Sequence, residues 1–220
     1  MPRHPTITKA RFLKVVQVFH FFTRDQAVLF FKGHTGRDKR VETLLPEFVK
    51  KRKLISYWHD GRKVYSAPRK GRLNIEHGLA CTECLIRLSF GDTQIIPEKK
   101  FKTFQAVPEW AIIFPGGVTI LFEFSTQDNF SRGAHMRRKI RKYEESITQI
   151  EKTLGLRVAV ILFVCDVSRN ELFQFIESLD CSEDFLFCDY ETFKSVPLGE
   201  NLTTPIYIWS DGESYPLTDV

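Results

Sequence analysis

The stretch from Val107 to Gln127 constrains this chain more than any other. Two apolar runs flank Pro115-Gly116-Gly117, a combination that reads as a hairpin turn. With the turn centred on Gly116, Glu109 and Glu123 stand opposite each other and point to the same face. Trp110, Ile112, Phe114, Phe122 and Phe124 alternate onto the other face, while Ala111, Ile113, Thr119 and Leu121 share the glutamates' side. Both faces are therefore largely apolar, and the hairpin is expected at the centre of its sheet. Two carboxylates about 5 Å apart on such strands repel strongly. They need a proton, a basic side chain or a divalent cation between them. The alternative is a pair frayed into solvent at the open end of the hairpin.

Charge divides the chain. Residues 1–75 carry 18 Lys/Arg against 5 Asp/Glu, and residues 76–220 carry 14 against 22. The overall charge of +5 hides this split. A basic module that engages a polyanion, joined to an acidic domain, is the expected organisation. The five cysteines form no framework. Cys81-Thr-Glu-Cys84 has the spacing of half a zinc site, but no second tetrad follows, and on a helix the two thiols pack inward. No apolar run reaches the ~18 residues of a membrane span and no leader is evident, so a cytoplasmic setting without a membrane partner is expected.

In the N-terminal part, Phe12, Val15, Val16, Phe19 and Phe22 have helical spacing over residues 7–22. Thr23-Arg-Asp-Gln26 is a capping box for a second helix that Gly33 would stop. Thr35-Gly-Arg-Asp38 opens a third, with Val41, Leu44, Leu45, Phe48 and Val49 inward and Pro46 as a kink or fresh start. Asp60-Gly61 then joins two short strands. Three helices followed by a basic hairpin resemble a winged helix-turn-helix. That resemblance gives residues 1–70 a double-stranded DNA partner. Arg37, Lys39 and Arg40 would begin the recognition helix, and Arg62 and Lys63 would sit near the wing tip. The bland alternative is a basic, solvated surface.

Pro68–Arg72 reads as a linker to a second domain, residues 71–220. Helix 75–90, strands 93–96, 107–114 and 118–125, helix 131–154, strand 157–165, helix 171–179 and strand 184–188 give the order αβββαβαβ. The fold class is thus α+β or α/β. Acids on the second and third strands make the order resemble the PD-(D/E)xK nucleases, a restriction-endonuclease-like mixed sheet flanked by helices. Pro108-Glu109 stands at the Pro-Asp step, and Glu123-Phe-Ser125 at the (D/E)xK step with serine for lysine. With the winged helix, the chain resembles the replication-relaxation family of plasmid and mobile-element proteins. The stretches that carry this are Glu76-His77-Gly-Leu-Ala, Val107-Pro-Glu-Trp, Leu121-Phe-Glu-Phe-Ser-Thr126 and the basic helix around Tyr143.

The resemblance implies Mg²⁺ or Mn²⁺ held by Glu109, Glu123 and the helical acid Glu83, with DNA cleavage as the reaction. Ser125 supplies no cation, so Lys139 or Lys142 on the following helix would bring one, with Lys142 taken as the catalytic lysine. Arg138 and Arg141 would contact phosphate. His77 caps, packs or lies near the site. The expected function is DNA binding in replication, relaxation or mobilisation of a plasmid or phage, with endonuclease or nickase activity open. The alternative keeps the fold with a decayed site, as a DNA-binding accessory protein or transcriptional regulator. Replication or mobilisation proteins and a second copy of the chain remain open as partners.

Overall fold

Helical spacing from Phe12 onward forms α1 (Lys9–Val16), capped by the Thr8 side chain, but the helix ends before Phe19. The expected extension to Phe22 fails for two reasons. Thr23 caps the next helix and must be extended (φ −92°, ψ 167°), and Phe22 stacks on Tyr65 at 5.7 Å. Phe22–Thr23 accordingly form a two-residue strand, β1. The computed structural model describes residues 6–31, 36–68, 74–89, 93–130, 133–179, 184–195, 206–208 and 214–216.

The capping box Thr23–Gln26 starts α2 (Arg24–Phe30) as expected. Gly33 and Thr35 lie outside the described residues. Helix α3 (Arg37–Lys50) begins from Gly36 in the left-handed region, carries Pro46 within it, and buries Val41, Leu44, Leu45 and Phe48. The strands β2 (Ile55–His59) and β3 (Arg62–Ser66) follow, joined by Asp60 and Gly61 at positive φ, the turn that Asp-Gly favours. β1 pairs antiparallel with β3, and the small sheet runs β1-β3-β2. Phe12, Phe31 and Phe48 stack in the core of this unit. Helix α4 (Ile75–Leu88) packs Leu79 against Phe21 and Val64. A Cβ on Gly78 would come within 2.4 Å of the Phe21 ring, so glycine permits this approach.

The chain forms two compact units, Met1–Ile86 and Arg87–Val220. The division falls late in α4 rather than at the expected boundary of 70/71, because the first turns of α4 pack on Phe21 and Val64.

In the second unit, β4 (Gln94–Pro97) leads through a short 3-10 turn to β5 (Trp110–Ile113) and β6 (Val118–Ser125), paired as an antiparallel meander. The short α5 (Gln127–Phe130) and the long α6 (Gly133–Leu154) then cross to β7 (Arg157–Cys165), parallel to β6. Next, α7 (Arg169–Glu177), started by a Ser168–Glu171 capping box, leads to β8 (Phe185–Asp189), parallel to β7. Helix α8 (Tyr190–Ser195) and the short strands β9 (Ile206–Ile208) and β10 (Ser214–Pro216) complete a seven-stranded sheet ordered β10-β9-β8-β7-β6-β5-β4.

Parallel and antiparallel pairs together make a mixed α+β protein. The core on one sheet face gathers Ala111, Leu121, Ile161 and Phe163 against Met136, Ile140 and Tyr143 of α6. Trp110 and Phe122, stacked at 5.7 Å on the central hairpin, are fully buried. Burying each such side chain contributes about 1.5–3 kcal/mol, which secures the hairpin's register. Among the described residues, no helix is long and apolar enough to cross a membrane.

Candidate functional site: a buried carboxylate under a basic helix

β6 alternates, so Leu121, Glu123 and Ser125 face the same side, toward α6. On α6, Met136, Ile140, Tyr143, Ser146 and Ile150 form a buried stripe at steps of three and four. Lys139 lies at the edge of that stripe, its side chain 29% exposed, with the stem along the apolar surface. These two patterns bring three polar groups together. The Lys139 ammonium donates to Glu123 Oε2 at 2.5 Å, and the Tyr143 hydroxyl donates to Oε1 at 2.5 Å. Glu123 is only 1% exposed, so its charge depends on these partners.

Burial pushes the Glu123 carboxyl up to about 7; Lys139 opposes the shift, the charge of Glu109 adds to it, and the two hydrogen bonds oppose it. Burial is the largest effect. It also raises the Tyr143 hydroxyl well above its ordinary value, with the nearby charge of Glu123 acting in the same direction. The phenol therefore stays a donor.

Glu109 precedes β5. Its N–H donates to Phe122 O at 3.0 Å, and its carbonyl accepts from Glu98 N–H at 3.1 Å. The ladder ends at Trp110–Phe122, and Glu109 lies outside β5 with its N–H on Phe122 O rather than on Glu123. The expected facing pair of glutamates is therefore not formed by this register; a bulge at residue 109 breaks it. Of the companions a buried acid needs, Glu123 has a lysine.

The lysine is Lys139 rather than Lys142. The buried stripe of Met136, Ile140 and Tyr143 sets which face of α6 meets the sheet, which directs Lys139 inward and leaves Lys142 exposed. Glu83 belongs to the other unit, where it accepts from Gln26 Nε2 at 3.3 Å. Ser125 is buried and donates to Met136 Sδ at 3.3 Å. Tyr143 is the partner that a reading by motif passes over. Its signal is the spacing of four from Lys139, which puts both side chains on one helix face.

Mg²⁺ and Mn²⁺ take oxygen ligands in near-octahedral order. Here both oxygens of Glu123 are engaged by a cation and a phenol, and Ser125 is turned to sulfur. This donor set does not fit either ion. In the first unit, ligand atoms of His59, Asp60 and Glu76 lie within 4.8 Å of one another. Arg62 also holds both Glu76 oxygens at 3.2 Å, so the group is a partly exposed ion-pair network. His77 lies with its Nε2 3.4 Å from Cys81 Sγ, one turn along α4.

α6 also borders a cavity of about 330 Å³, lined by Gln105, Ala106, Val107, His135, Arg138, Lys139 and Lys142. Arg138 and Lys142 both line it, while Arg141 is exposed and not part of the lining. Of the basic residues expected on the first unit, Arg37 contacts Asp38 at 3.6 Å and is 41% exposed, and Lys39 is exposed. Lys63 lies 5.9 Å from the Tyr65 ring centre. Two others are engaged within the unit itself. Arg40 donates to Ile7 O at 3.1 Å, tying α3 to the residues before α1, and Arg62 is engaged by Glu76. No family model, curated protein or solved structure matches this chain, so its geometry carries the functional reading.

Proposed function

We propose that this protein binds duplex DNA through its first unit, and that the second is a restriction-endonuclease-like domain whose carboxylate is neutralised from within. The observation that carries the reading is the small sheet. The two-residue β1, between α1 and α2, pairs with β3 so that α1-β1-α2-α3-β2-β3 closes on itself. That order resembles a winged helix, with α3 as the helix offered to the major groove and β2–β3 as the wing. The surplus of positive charge in residues 1–75 supports a phosphate-rich partner. In the second unit, β4-β5-β6-α6-β7, with β6 and β7 parallel, resembles the PD-(D/E)xK core. On this reading the chain is an accessory DNA-binding protein of replication, relaxation or mobilisation, akin to the replication-relaxation proteins of plasmids and phages.

Fluorescence anisotropy with a labelled duplex tests the reading. Reversing Arg37 and Lys39 to Glu should weaken binding and flatten its salt dependence by about one unit of slope per lost phosphate contact. Reversing the exposed Arg11 and Lys14 should have a smaller effect. Equal losses from both pairs would replace a recognition helix with diffuse attraction.

A second reading, metal-dependent cleavage, is favoured by the acid on the central hairpin, Glu123, with Glu109 near enough for its charge to act on it. It requires Glu123 to exchange Lys139 or Tyr143 for another partner. Nicking of supercoiled plasmid in Mg²⁺ or Mn²⁺ by the wild type, absent in Glu123→Gln, would establish it.

A further inference from the structure

We propose that the cavity beside α6 is a phosphate-binding site that holds the backbone of a nucleic-acid strand. The choice of nucleic acid among phosphate carriers rests on the DNA-binding reading; the anion site itself rests on the second unit alone. His135, Arg138, Lys139 and Lys142 are spaced by three, one and three residues, so they share one face of α6. All four line the cavity, with Gln105, Ala106 and Val107 completing the lining. Among the described residues, no acidic side chain belongs to that lining. Lys139 is already held by Glu123 and contributes its field from a fixed position. Arg138 and Lys142 are exposed, four residues apart, and engaged by no ion pair among the described residues.

Like charges at that spacing destabilise a helix, by about 0.2–0.5 kcal/mol per pair, and a bound anion removes the repulsion. The nearby acids Glu144 and Glu145 fall outside the lining. Arg138 can present a two-pronged donor to phosphate oxygens, Lys142 a point charge, and the Gln105 amide a neutral donor.

The character of the lining narrows the ligand further. At about 330 Å³ the cavity is near the lower end of small-ligand sites, suited to a nucleotide-sized group rather than the width of a duplex. Among the described residues no Phe, Tyr or Trp lines it, so the broad stacking platforms of base-reading sites are not part of it. Recognition without a base partner selects the phosphate and leaves the sequence free. The site would follow a strand, independently of the contacts made by α3.

His135 offers a reporter inside the cavity, because an anion beside it shifts its ring resonances. The test records imidazole NMR spectra of the full chain during titration with a short thymidine oligonucleotide and, separately, with inorganic pyrophosphate. The expected result is a saturable His135 shift with the oligonucleotide, at lower concentration than with pyrophosphate. Arg138→Gln with Lys142→Gln should raise the midpoint about ten-fold or more. Arg138→Lys with Lys142→Arg should retain most binding, which separates loss of the site from loss of fold. Arg37→Glu with Lys39→Glu should leave the His135 midpoint unchanged even where duplex binding falls, so the two proposals fail separately. An unchanged midpoint in the double glutamine variant would overturn the site. A response to pyrophosphate without one to the oligonucleotide would overturn the strand as its ligand.

Discussion

Two glutamates, one in each unit, have lysine partners at similar distance and opposite fates. Glu47 on α3 accepts from Lys9 at 2.7 Å and Lys51 at 2.8 Å, with its side chain 22% exposed. Its hydrogen bonds to those lysines hold the carboxyl down at about 2. Glu123 on β6 accepts from Lys139 and Tyr143, and burial pushes it up to about 7. Partner chemistry is thus not what sets the charge state; access to water decides it. At the surface, water solvates both ions and the partner only adds to that. In the core, the partner must replace water, and one ammonium with one phenol does so incompletely. The first unit wears its charge outside, where it is available to a polyanion. The second holds its key charge inside, where it is available to its own helix.

The largest break in this comparison should come from Lys139→Ala. It leaves a buried carboxylate without its cation, and urea unfolding at pH 8 should show a loss of about 3–5 kcal/mol. At pH 5 the loss should shrink, since the carboxyl is then protonated. Tyr143→Phe keeps the ring and its edge contact with Phe163 at 6.1 Å but removes the hydroxyl from a charged acceptor. A loss of about 1.5–3 kcal/mol is expected by the same assay.

Glu123→Gln sharpens the comparison through pH. The folded pKa of about 7 lies above the ordinary value of 4.5, so between them the folded chain holds a proton that the unfolded chain releases. The stability this gives is fully present below pH 4.5 and is lost as pH rises through 7. Across that window the wild type should lose up to about 1.4 kcal/mol per pH unit relative to Glu123→Gln, which does not titrate. The smallest effect belongs to Glu47→Gln, whose denaturation midpoint at neutral pH should match the wild type within scatter, with any difference vanishing in high salt.

The central hairpin was legible because two independent signals agreed there. The Pro-Gly-Gly turn and the alternation of apolar residues both centre the register on Gly116, and the observed pairs Trp110–Phe122 and Ile113–Thr119 are symmetric about it. Strand β7 was equally legible as a continuous apolar run. Residues whose partners are distant in sequence were not. Arg40 looks like a recognition-helix residue until its bond to Ile7 is known, and Arg62 like a wing tip until Glu76 arrives from α4. The choice of Lys139 over Lys142 depends on the rotation of α6, which the packing of Met136, Ile140 and Tyr143 fixes only when the sheet is present. At the start of the chain, Phe19 and Phe22 have helical spacing, yet pairing with β3 and the cap at Thr23 overrule it.

Lys139 and Tyr143, rather than a metal, satisfy the Glu123 carboxylate. Thermal unfolding of the full chain in rising MgCl₂ or MnCl₂, followed by EDTA, tests this most directly through binding linkage. The predicted result is a melting temperature that neither ion raises and EDTA does not lower. A saturable rise, reversed by EDTA and absent in Glu123→Gln, would contradict it.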